Sequence, residues 1–307
     1  KDGVAIIYIS HHLSEIFQIA DRITVLKDGS TAGSLPANET DKESVIKMML
    51  GRSLDTMYPS HDTYPGEEVL KVEEASDGEK VNGVSFNLKE GEILGIAGLV
   101  GSGRTEMARA VFAADKMKTG KIFLYGKELR HRSPGKSVQA GIGMVPEDRK
   151  QHGVILPLTI SENISLTNYK SISGIFGFIK PKRERENTIE LIRKLSIKAE
   201  DENQKTVKLS GGNQQKVALA KWLNRDCRVL IIDEPTRGID VGSKVEIYNL
   251  MCELSKKGVA LIVISSETQE LTGICDRILV MRKGKIKSEL KRMEFSEEEI
   301  LRLSILD

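Results

Sequence analysis

Glycines and a threonine are spaced for phosphate binding just after an apolar run at residues 93–97. Glycines allow several backbone N–H groups to face one anion, and a helix predicted to begin near Gly103 adds a partial positive charge. The spacing follows the phosphate-loop pattern G-x-x-x-x-G-K-[ST], with Arg104 in place of the lysine. Strand, loop and helix together predict a nucleotide phosphate site formed by Gly98, Gly101, Ser102, Gly103, Arg104 and Thr105.

Two adjacent carboxylates, Asp233 and Glu234, follow a second apolar run. Asp233 is placed to hold Mg²⁺ together with the Thr105 hydroxyl, and Glu234 to orient and deprotonate a water molecule that attacks a phosphate. A strand that ends in Asp-Glu is, by itself, more often a capping or surface pair. The phosphate loop upstream is what favours the metal and general-base roles here.

A second helix start suited to an anion lies at residues 209–216, which read Leu-Ser-Gly-Gly-Asn-Gln-Gln-Lys. Ser210 is the predicted N-cap, and Gly211, Gly212 and Asn213 open the helix. One phosphate loop does not need two such sites in one domain. We therefore predict that this second site is presented to a nucleotide held by another domain.

These motifs sit in a chain whose start resembles its end at a constant offset of 255 residues, since Gly3 corresponds to Gly258 and Asp21 to Asp276. Internal similarity of this kind indicates two copies of one unit, and only the second copy has a phosphate loop. The sequence is therefore expected to be a fragment of a longer two-domain protein.

The expected organisation is a remnant of a first domain at residues 1–52, a linker at 53–66 and a complete second domain at 67–307. The remnant is predicted to contain a strand at 4–10, a helix at 13–20, a hairpin that turns at Asp28-Gly29, and a helix at 42–50 that Gly51 ends.

The second domain is predicted to alternate strands and helices around a parallel sheet. A helical insertion is expected at about residues 151–209, with Ile189, Ile192 and Leu195 on one face.

The composition excludes several classes of protein. The 46 basic and 44 acidic residues give a net charge of +2, which does not favour binding to nucleic acid or to an anionic membrane. The three cysteines suit neither a disulfide framework nor a metal site, so a reducing cytosol is expected. No apolar run approaches 18 residues, and a connection to a membrane is expected to go through a partner.

Taken together, these motifs resemble those of the ATP-binding cassette (ABC) ATPases. The version of the 209–216 motif is similar to that of monosaccharide importers of the ribose, galactose and xylose type, as are Thr236-Arg-Gly-Ile-Asp240 and Pro146-Glu-Asp-Arg-Lys150. The resemblance implies an α/β fold of the P-loop NTPase class, with a mixed, mainly parallel sheet core, a small antiparallel β subdomain and a helical subdomain.

The resemblance also implies ATP and Mg²⁺ as cofactors and two cassettes in tandem in one polypeptide. It implies a peripheral subunit on the cytoplasmic face of the cell membrane. Its partners would be membrane permease subunits, which receive sugar from a periplasmic or extracellular binding protein. The identity of the sugar is not encoded in these residues.

Further roles follow only from the resemblance. Glu147 stands where the family usually has a glutamine that touches Mg²⁺ and water. His11 stands at the switch histidine of the first cassette, and Ser266 is its counterpart in the second. Without the repeat, His11 would be a capping or surface histidine.

The departures at Arg104, Glu147 and Ser266 predict a site that binds nucleotide but turns it over poorly. The more active site would combine the loop of the first cassette, His11 and the motif at Ser210–Asn213.

Two other functions remain open. A soluble tandem cassette protein that acts on ribosomes or DNA would normally carry a long charged linker, and residues 53–66 are short. A regulatory module that binds nucleotide without hydrolysis fits the substitutions named above. The apolar cluster at residues 172–179 either packs locally within the insertion or contacts the permease.

Overall fold

The computed structural model describes residues 3–10, 13–27, 29–50, 58–59, 65–130, 132–174 and 176–306. The strands are β1 (Arg22–Lys27), β2 (Ser30–Pro36), β3 (Glu68–Ser76), β4 (Val84–Lys89), β5 (Ile93–Gly98), β6 (Thr119–Leu124), β7 (Lys127–Glu128), β8 (Ile142–Val145), β9 (Val229–Asp233), β10 (Ala260–Ile264), β11 (Arg277–Arg282) and β12 (Lys285–Lys291). The α-helices are α1 (Leu13–Ile19), α2 (Lys42–Leu50), α3 (Arg104–Phe112), α4 (Pro134–Ala140), α5 (Ile160–Ser165), α6 (Tyr169–Ile172), α7 (Pro181–Lys194), α8 (Gly211–Leu223), α9 (Val241–Lys256), α10 (Thr268–Ile274) and α11 (Glu297–Ile305). A single π-helical turn spans Arg149–Gly153.

The central sheet has the strand order β12-β11-β5-β10-β9-β8, and only β12 runs antiparallel to its neighbour. The strands β5, β9 and β10 are apolar almost throughout because helices or a second sheet cover both faces. A separate antiparallel sheet has the order β4-β3-β6-β7. The predicted mixed α/β core with a small antiparallel β subdomain is confirmed.

The hydrophobic core has two parts, one on each face of the central sheet, and successive side chains of β5 belong to alternate parts. Leu94 and Ile96 face α3 and the antiparallel sheet, whereas Ile93 and Ala97 face the side that α8, α9 and α10 cover. The end of β5, where the phosphate loop begins, is therefore anchored from both faces of the sheet.

The chain is helical between β8 and β9, as predicted, and this part contains α5, α6, α7 and α8. The prediction that Ile189, Ile192 and Leu195 form the apolar face of this insertion was partly wrong. The buried positions of α7 are Thr188 and Leu191, while Ile189 and Ile192 are half-buried. The reason is the neighbouring α5, whose Ser161 hydroxyl lies 3.0 Å from the Thr188 hydroxyl and so sets the rotation of α7.

The amino-terminal part contains α1, the hairpin β1–β2 and α2, as predicted. The strand expected at residues 4–10 is not formed, which corrects that prediction. Val4, Ile6 and Ile9 are 75%, 83% and 91% exposed. The counterpart β10 lies between two parallel strands, and within the described ranges no strand lies beside residues 3–10.

Two further findings concern the chain as a whole. In the described part of the sequence, no helix has both the length and the apolar character needed to cross a bilayer. Cys227, Cys252 and Cys275 are free and buried, and burial raises the pKa of each thiol.

Candidate functional site

The predicted phosphate loop connects β5 to α3. Gly98, Gly101 and Gly103 have φ values of 150°, 81° and 97°, which side-chain-bearing residues rarely adopt. A Cβ atom at Gly103 would lie 2.6 Å from the carbonyl oxygen of Lys80. Glycine is therefore required at this position both for the turn and for the close approach of a neighbouring backbone. The helix begins at Arg104, so the strand–loop–helix order is as predicted.

Asp233, at the end of β9, is completely buried, and neither of its carboxylate oxygens has a hydrogen-bond partner among the described residues. Burial raises its pKa to about 6, which the nearby Thr105 hydroxyl and Arg104 partly oppose and Glu234 reinforces. The Thr105 hydroxyl is close to this carboxylate without a well-aligned hydrogen bond. A buried carboxylate with free oxygens beside a threonine hydroxyl fits a divalent cation.

Asp233 is not part of a preformed metal site composed only of protein ligands. In the described ranges, no three His, Cys, Asp or Glu side chains converge as a metal-binding group. A Mg²⁺ ion at Asp233 and Thr105 would therefore take most of its ligands from phosphate oxygens and water, which is typical of this ion in nucleotide sites.

Glu234 contacts Arg104 and Ser266, two of the three residues that depart from the family pattern. Its Oε2 accepts a hydrogen bond of 3.0 Å from the Ser266 hydroxyl, and its Oε1 lies 4.0 Å from Nη2 of Arg104. Nη1 of Arg104 donates a 2.6 Å hydrogen bond to the carbonyl oxygen of Ser265. The backbone of Glu234 has a φ of 50°, and such strained conformations cluster at functional sites. Both carboxylate oxygens of the predicted base are thus engaged.

Glu147 forms an ion pair with Arg237, in the loop after β9. The resemblance implies that Glu147 adds a negative charge near the γ-phosphate in place of a neutral amide, unless Mg²⁺ offsets that charge. In the structure, the guanidinium of Arg237 offsets that charge. The sequence contained both residues in the motifs at 146–150 and 236–240 but gave no sign that they meet, because they lie on different loops.

Ser210 caps the start of α8 as predicted. Its side chain is exposed and accepts hydrogen bonds from the backbone N–H of Asn213, at 3.4 Å, and from the Asn213 side chain, at 2.9 Å. A Cβ atom at Gly212 would lie 2.3 Å from the hydroxyl oxygen of Ser243 in α9, so only glycine fits there. The helix start is packed on one side and open to solvent at its cap.

His11, Asp28, Gly51 and most of the linker at residues 53–66 lie outside the described residues.

Comparison with known proteins gives concordant matches. A family model described as "ABC transporter" matches residues 81–237. Over 99% of its length, the chain is 51% identical to "Putative ribose/galactose/methyl galactoside import ATP-binding protein 1" of Rhizobium meliloti (strain 1021), of which it covers 60%. It is 46% identical to "Ribose import ATP-binding protein RbsA" of Bacillus subtilis (strain 168), of which it covers 62%. The chain therefore spans about three fifths of the length of these relatives.

Two solved structures have the same fold. A nucleotide-free ATP-binding cassette from an ABC transporter superposes with a TM-score of 0.68 at 19% identity, over 78% of this chain and 100% of the other. A dimeric post-hydrolysis state of an ATP-binding cassette bound to ADP and Pi superposes with a TM-score of 0.64 at 24% identity, over 74% and 100% of the two chains.

Proposed function

Because this chain belongs to the ABC transporter family, we propose that it forms part of the ATP-binding subunit of a monosaccharide importer. The relatives that match almost the whole chain are named for the import of ribose and galactose, which supports a sugar of this class as the transported substrate. The observation that carries the nucleotide-binding role is the buried Asp233 carboxylate, which accepts no well-aligned hydrogen bond from the described residues and lies beside Thr105 at the phosphate loop.

The residues of the site have the following proposed roles. The backbone N–H groups between Gly98 and Gly103 bind the phosphates of ATP, and the start of α3 adds its partial positive charge. Thr105 and Asp233 hold Mg²⁺, which when bound neutralises charge on the phosphate oxygens. Glu234 is the general base that orients the attacking water.

This site is proposed to turn ATP over slowly. Glu234 shares its oxygens between Ser266 and Arg104, so they are less free to orient an attacking water molecule. Glu147 is paired with Arg237 and so has less freedom to act on water. These contacts favour, as a second candidate, a regulatory role in which nucleotide is bound without hydrolysis.

The motif at Ser210, Gly211, Gly212 and Asn213 is proposed to face a nucleotide held by another cassette. The exposure of the Ser210 side chain supports this role, because the cap of α8 is open to an incoming anion. The domain plan proposed with it is a first-cassette remnant at 1–52 that includes His11, a linker at 53–66 and a second cassette at 67–307. The greater length of the relatives is consistent with a tandem arrangement.

The proposed partners are membrane permease subunits, supplied by a sugar-binding protein outside the cell, with this subunit peripheral on the cytoplasmic face. Phe176 and Phe178 support a docking role, because their side chains are 88% and 78% exposed in the segment between Ser173 and Ile179. Replacing both phenylalanines with serine should abolish co-purification of the permease. It should leave the free energy of unfolding within about 0.5 kcal/mol of the wild-type value.

The fully exposed Met293 provides a matched control for this experiment, and Met293→Ser should retain the permease. Co-purification with ribosomes or DNA instead of permease would favour the soluble tandem-cassette alternative.

The nucleotide-binding role is tested by titrating the chain with a fluorescent ATP analogue, with and without Mg²⁺. We expect Mg²⁺ to strengthen binding, Asp233→Asn to remove that effect, and the exposed Glu298→Gln to preserve it. Phosphate release measured on the same samples separates slow hydrolysis from binding alone. Failure of the wild-type chain to bind the analogue would contradict the proposal.

A further inference from the structure

The first turn of α10 contains a buried acid, Glu270. Its side chain is 1% exposed, and its Oε2 accepts a hydrogen bond from the hydroxyl of Ser265. Ser265 is also buried and belongs to the three residues, 265–267, that connect β10 to α10, which we call the serine segment. A buried hydrogen bond therefore joins Glu270 to a segment that lies outside its own helix.

The serine segment contacts two residues of the proposed site. The carbonyl oxygen of Ser265 accepts the 2.6 Å hydrogen bond from Nη1 of Arg104. The hydroxyl of Ser266 donates the 3.0 Å hydrogen bond to Oε2 of Glu234. The cation of the phosphate loop and the proposed base are thus bound by adjacent residues of one short segment. The conformation of this segment decides whether the Glu234 carboxylate is engaged or free.

Two sets of contacts fix the serine segment. Ser265 Oγ donates its proton to Glu270 and accepts a 3.0 Å hydrogen bond from the backbone N–H of Glu267, so this hydroxyl joins the acid to the far end of the segment. On the exposed side, Nζ of Lys244 in α9 donates to both carboxylate oxygens of Glu267, at 2.5 and 2.6 Å. The bond to Glu270 is shielded from water, and a hydrogen bond is electrostatically stronger in such surroundings than in an exposed pair.

The Glu270 carboxyl changes charge near neutral pH. Burial raises its pKa to about 7, and the charge of Glu267 reinforces that shift, whereas Ser265, Thr236 and Lys244 oppose it. Three more titratable groups face Glu270 from the elements packed around it, and burial raises the pKa of each: Tyr58, Tyr248 in α9 and Cys275 after α10. The bond that Ser265 donates is therefore made to a carboxylate in mildly alkaline solution and to a neutral acid in mildly acidic solution.

We infer that Glu270 is a positioning residue for the proposed base, because through Ser265 it fixes the serine segment and so keeps Ser266 on Glu234. The inference rests on the proposed function, in which Glu234 orients the attacking water. A hydrogen bond to an ionised acceptor is about twice as strong as one to a neutral acceptor. Ionised Glu270 therefore keeps the base engaged, and loss of its charge releases the base.

The first test is hydrogen exchange of the Glu267 backbone amide in the nucleotide-free chain, because this N–H group bonds to Ser265 Oγ. Its protection factor, which is corrected for the effect of pH on free amides, should be about fivefold higher at pH 8 than at pH 6. The sign follows from an acid that is ionised above about pH 7 and protonated below it. In Glu270→Gln, the protection factors at the two pH values should differ by less than about twofold.

The second test is phosphate release at saturating Mg²⁺ and ATP at pH 8. Glu270→Gln should raise the rate by about fivefold, with an affinity for a fluorescent ATP analogue within about threefold of the wild-type value. Ser265→Ala removes the same bond from its other end and should give a similar increase. In a Ser266→Ala background, where no serine engages Glu234, Glu270→Gln should change the rate by less than about twofold.

Two variants serve as controls. Ser304→Ala is matched to Ser265→Ala, because Ser304 is also buried but donates its 2.7 Å hydrogen bond to the carbonyl oxygen of Ile300 within α11. The exposed Glu298→Gln controls for removal of a carboxylate. Both should leave the exchange of the Glu267 amide and the rate of phosphate release unchanged.

The outcomes are distinguishable. A wild-type protection factor at Glu267 that is the same at both pH values, or one that keeps its pH dependence in Glu270→Gln, would overturn the inference. An unchanged rate of phosphate release in both Glu270→Gln and Ser265→Ala would also overturn it, as would a full effect of Glu270→Gln in the Ser266→Ala background. If the wild-type chain does not bind the analogue but its exchange is as expected, the proposed function fails and the positioning of the serine segment by Glu270 stands.

Discussion

Replacing Asp233 with asparagine should stabilise the nucleotide-free chain. The carboxylate is completely buried and accepts no well-aligned hydrogen bond from any residue in the described ranges, and burial raises its pKa from 3.8 to about 6. A difference of about two pK units costs the folded state about 3 kcal/mol when the group is ionised. The asparagine amide would leave its own N–H groups unpaired, at a cost of about 1–2 kcal/mol. The expected net gain at pH 8 is therefore about 1–2 kcal/mol.

The stability advantage of Asp233→Asn should decrease as the pH is lowered. The folded-state pKa of this acid is higher than its unfolded-state value, so the penalty is fully present above about pH 6 and is lost as the pH falls from about 6 towards 3.8. Between pH 8 and pH 5, the advantage of Asp233→Asn should shrink by about 1.4 kcal/mol. Glu270, whose pKa burial raises to about 7, titrates in the same window in both proteins and cancels in the difference.

The assay is urea unfolding of wild type and Asp233→Asn at pH 8 and pH 5, in EDTA and without nucleotide. The exposed Glu298→Gln serves as a control for removal of a carboxylate and should change stability by less than about 0.5 kcal/mol. With Mg²⁺ and ATP at a hundredfold excess over the wild-type Kd, the wild type should gain about 2.7 kcal/mol of binding free energy. Asp233→Asn binds without the help of Mg²⁺ and should gain less, so its stability advantage over the wild type should disappear or reverse. An Asp233→Asn chain that is no more stable at pH 8, or an advantage that does not shrink by pH 5, would refute the reasoning.

Two further predictions concern packing and turnover. Gly212→Ala should lower the free energy of unfolding by about 1–3 kcal/mol in urea, because its Cβ atom would approach the hydroxyl oxygen of Ser243 to 2.3 Å. Gly135→Ala, where a Cβ atom meets nothing within 4 Å, is the control, and equal stability of the two variants would contradict the close contact. Arg104→Lys alone should raise the rate of phosphate release by less than about tenfold, because Ser266 still engages Glu234. A larger increase would show that Arg104 by itself limits turnover.

The elements that the sequence predicts best are those buried on both faces. The sequence predicts strands at residues 142–145 and 260–264, and β8 and β10 have these bounds. Each is a short apolar run between turns. Residues 4–10 have the same kind of pattern but form no strand. Strand formation depends on partners that are distant in the sequence, and a local pattern does not report whether they are present.

The same distinction applies to the site. The phosphate loop and the Asp233-Glu234 pair were predictable because each lies within one short segment and the chemistry follows from spacing. The bond from Ser266 to Glu234 and the bonds from Arg149 to the loop after β9 join residues 32 and 88–89 positions apart. Only the packing of β8, β9 and β10 brings these loops together. Contacts between residues this far apart in the chain cannot be predicted from periodicity or motifs in a single sequence.

The uncovered segment at residues 3–10 has a consequence for handling the protein. It is a run of β-prone, uncharged residues without proline whose isoleucines face water, a composition that promotes cross-β self-association. Concentrated solutions of the chain should contain oligomers that assemble through this segment. A lysine in place of Ile7, which is 90% exposed, should keep the protein monodisperse without disturbing its core.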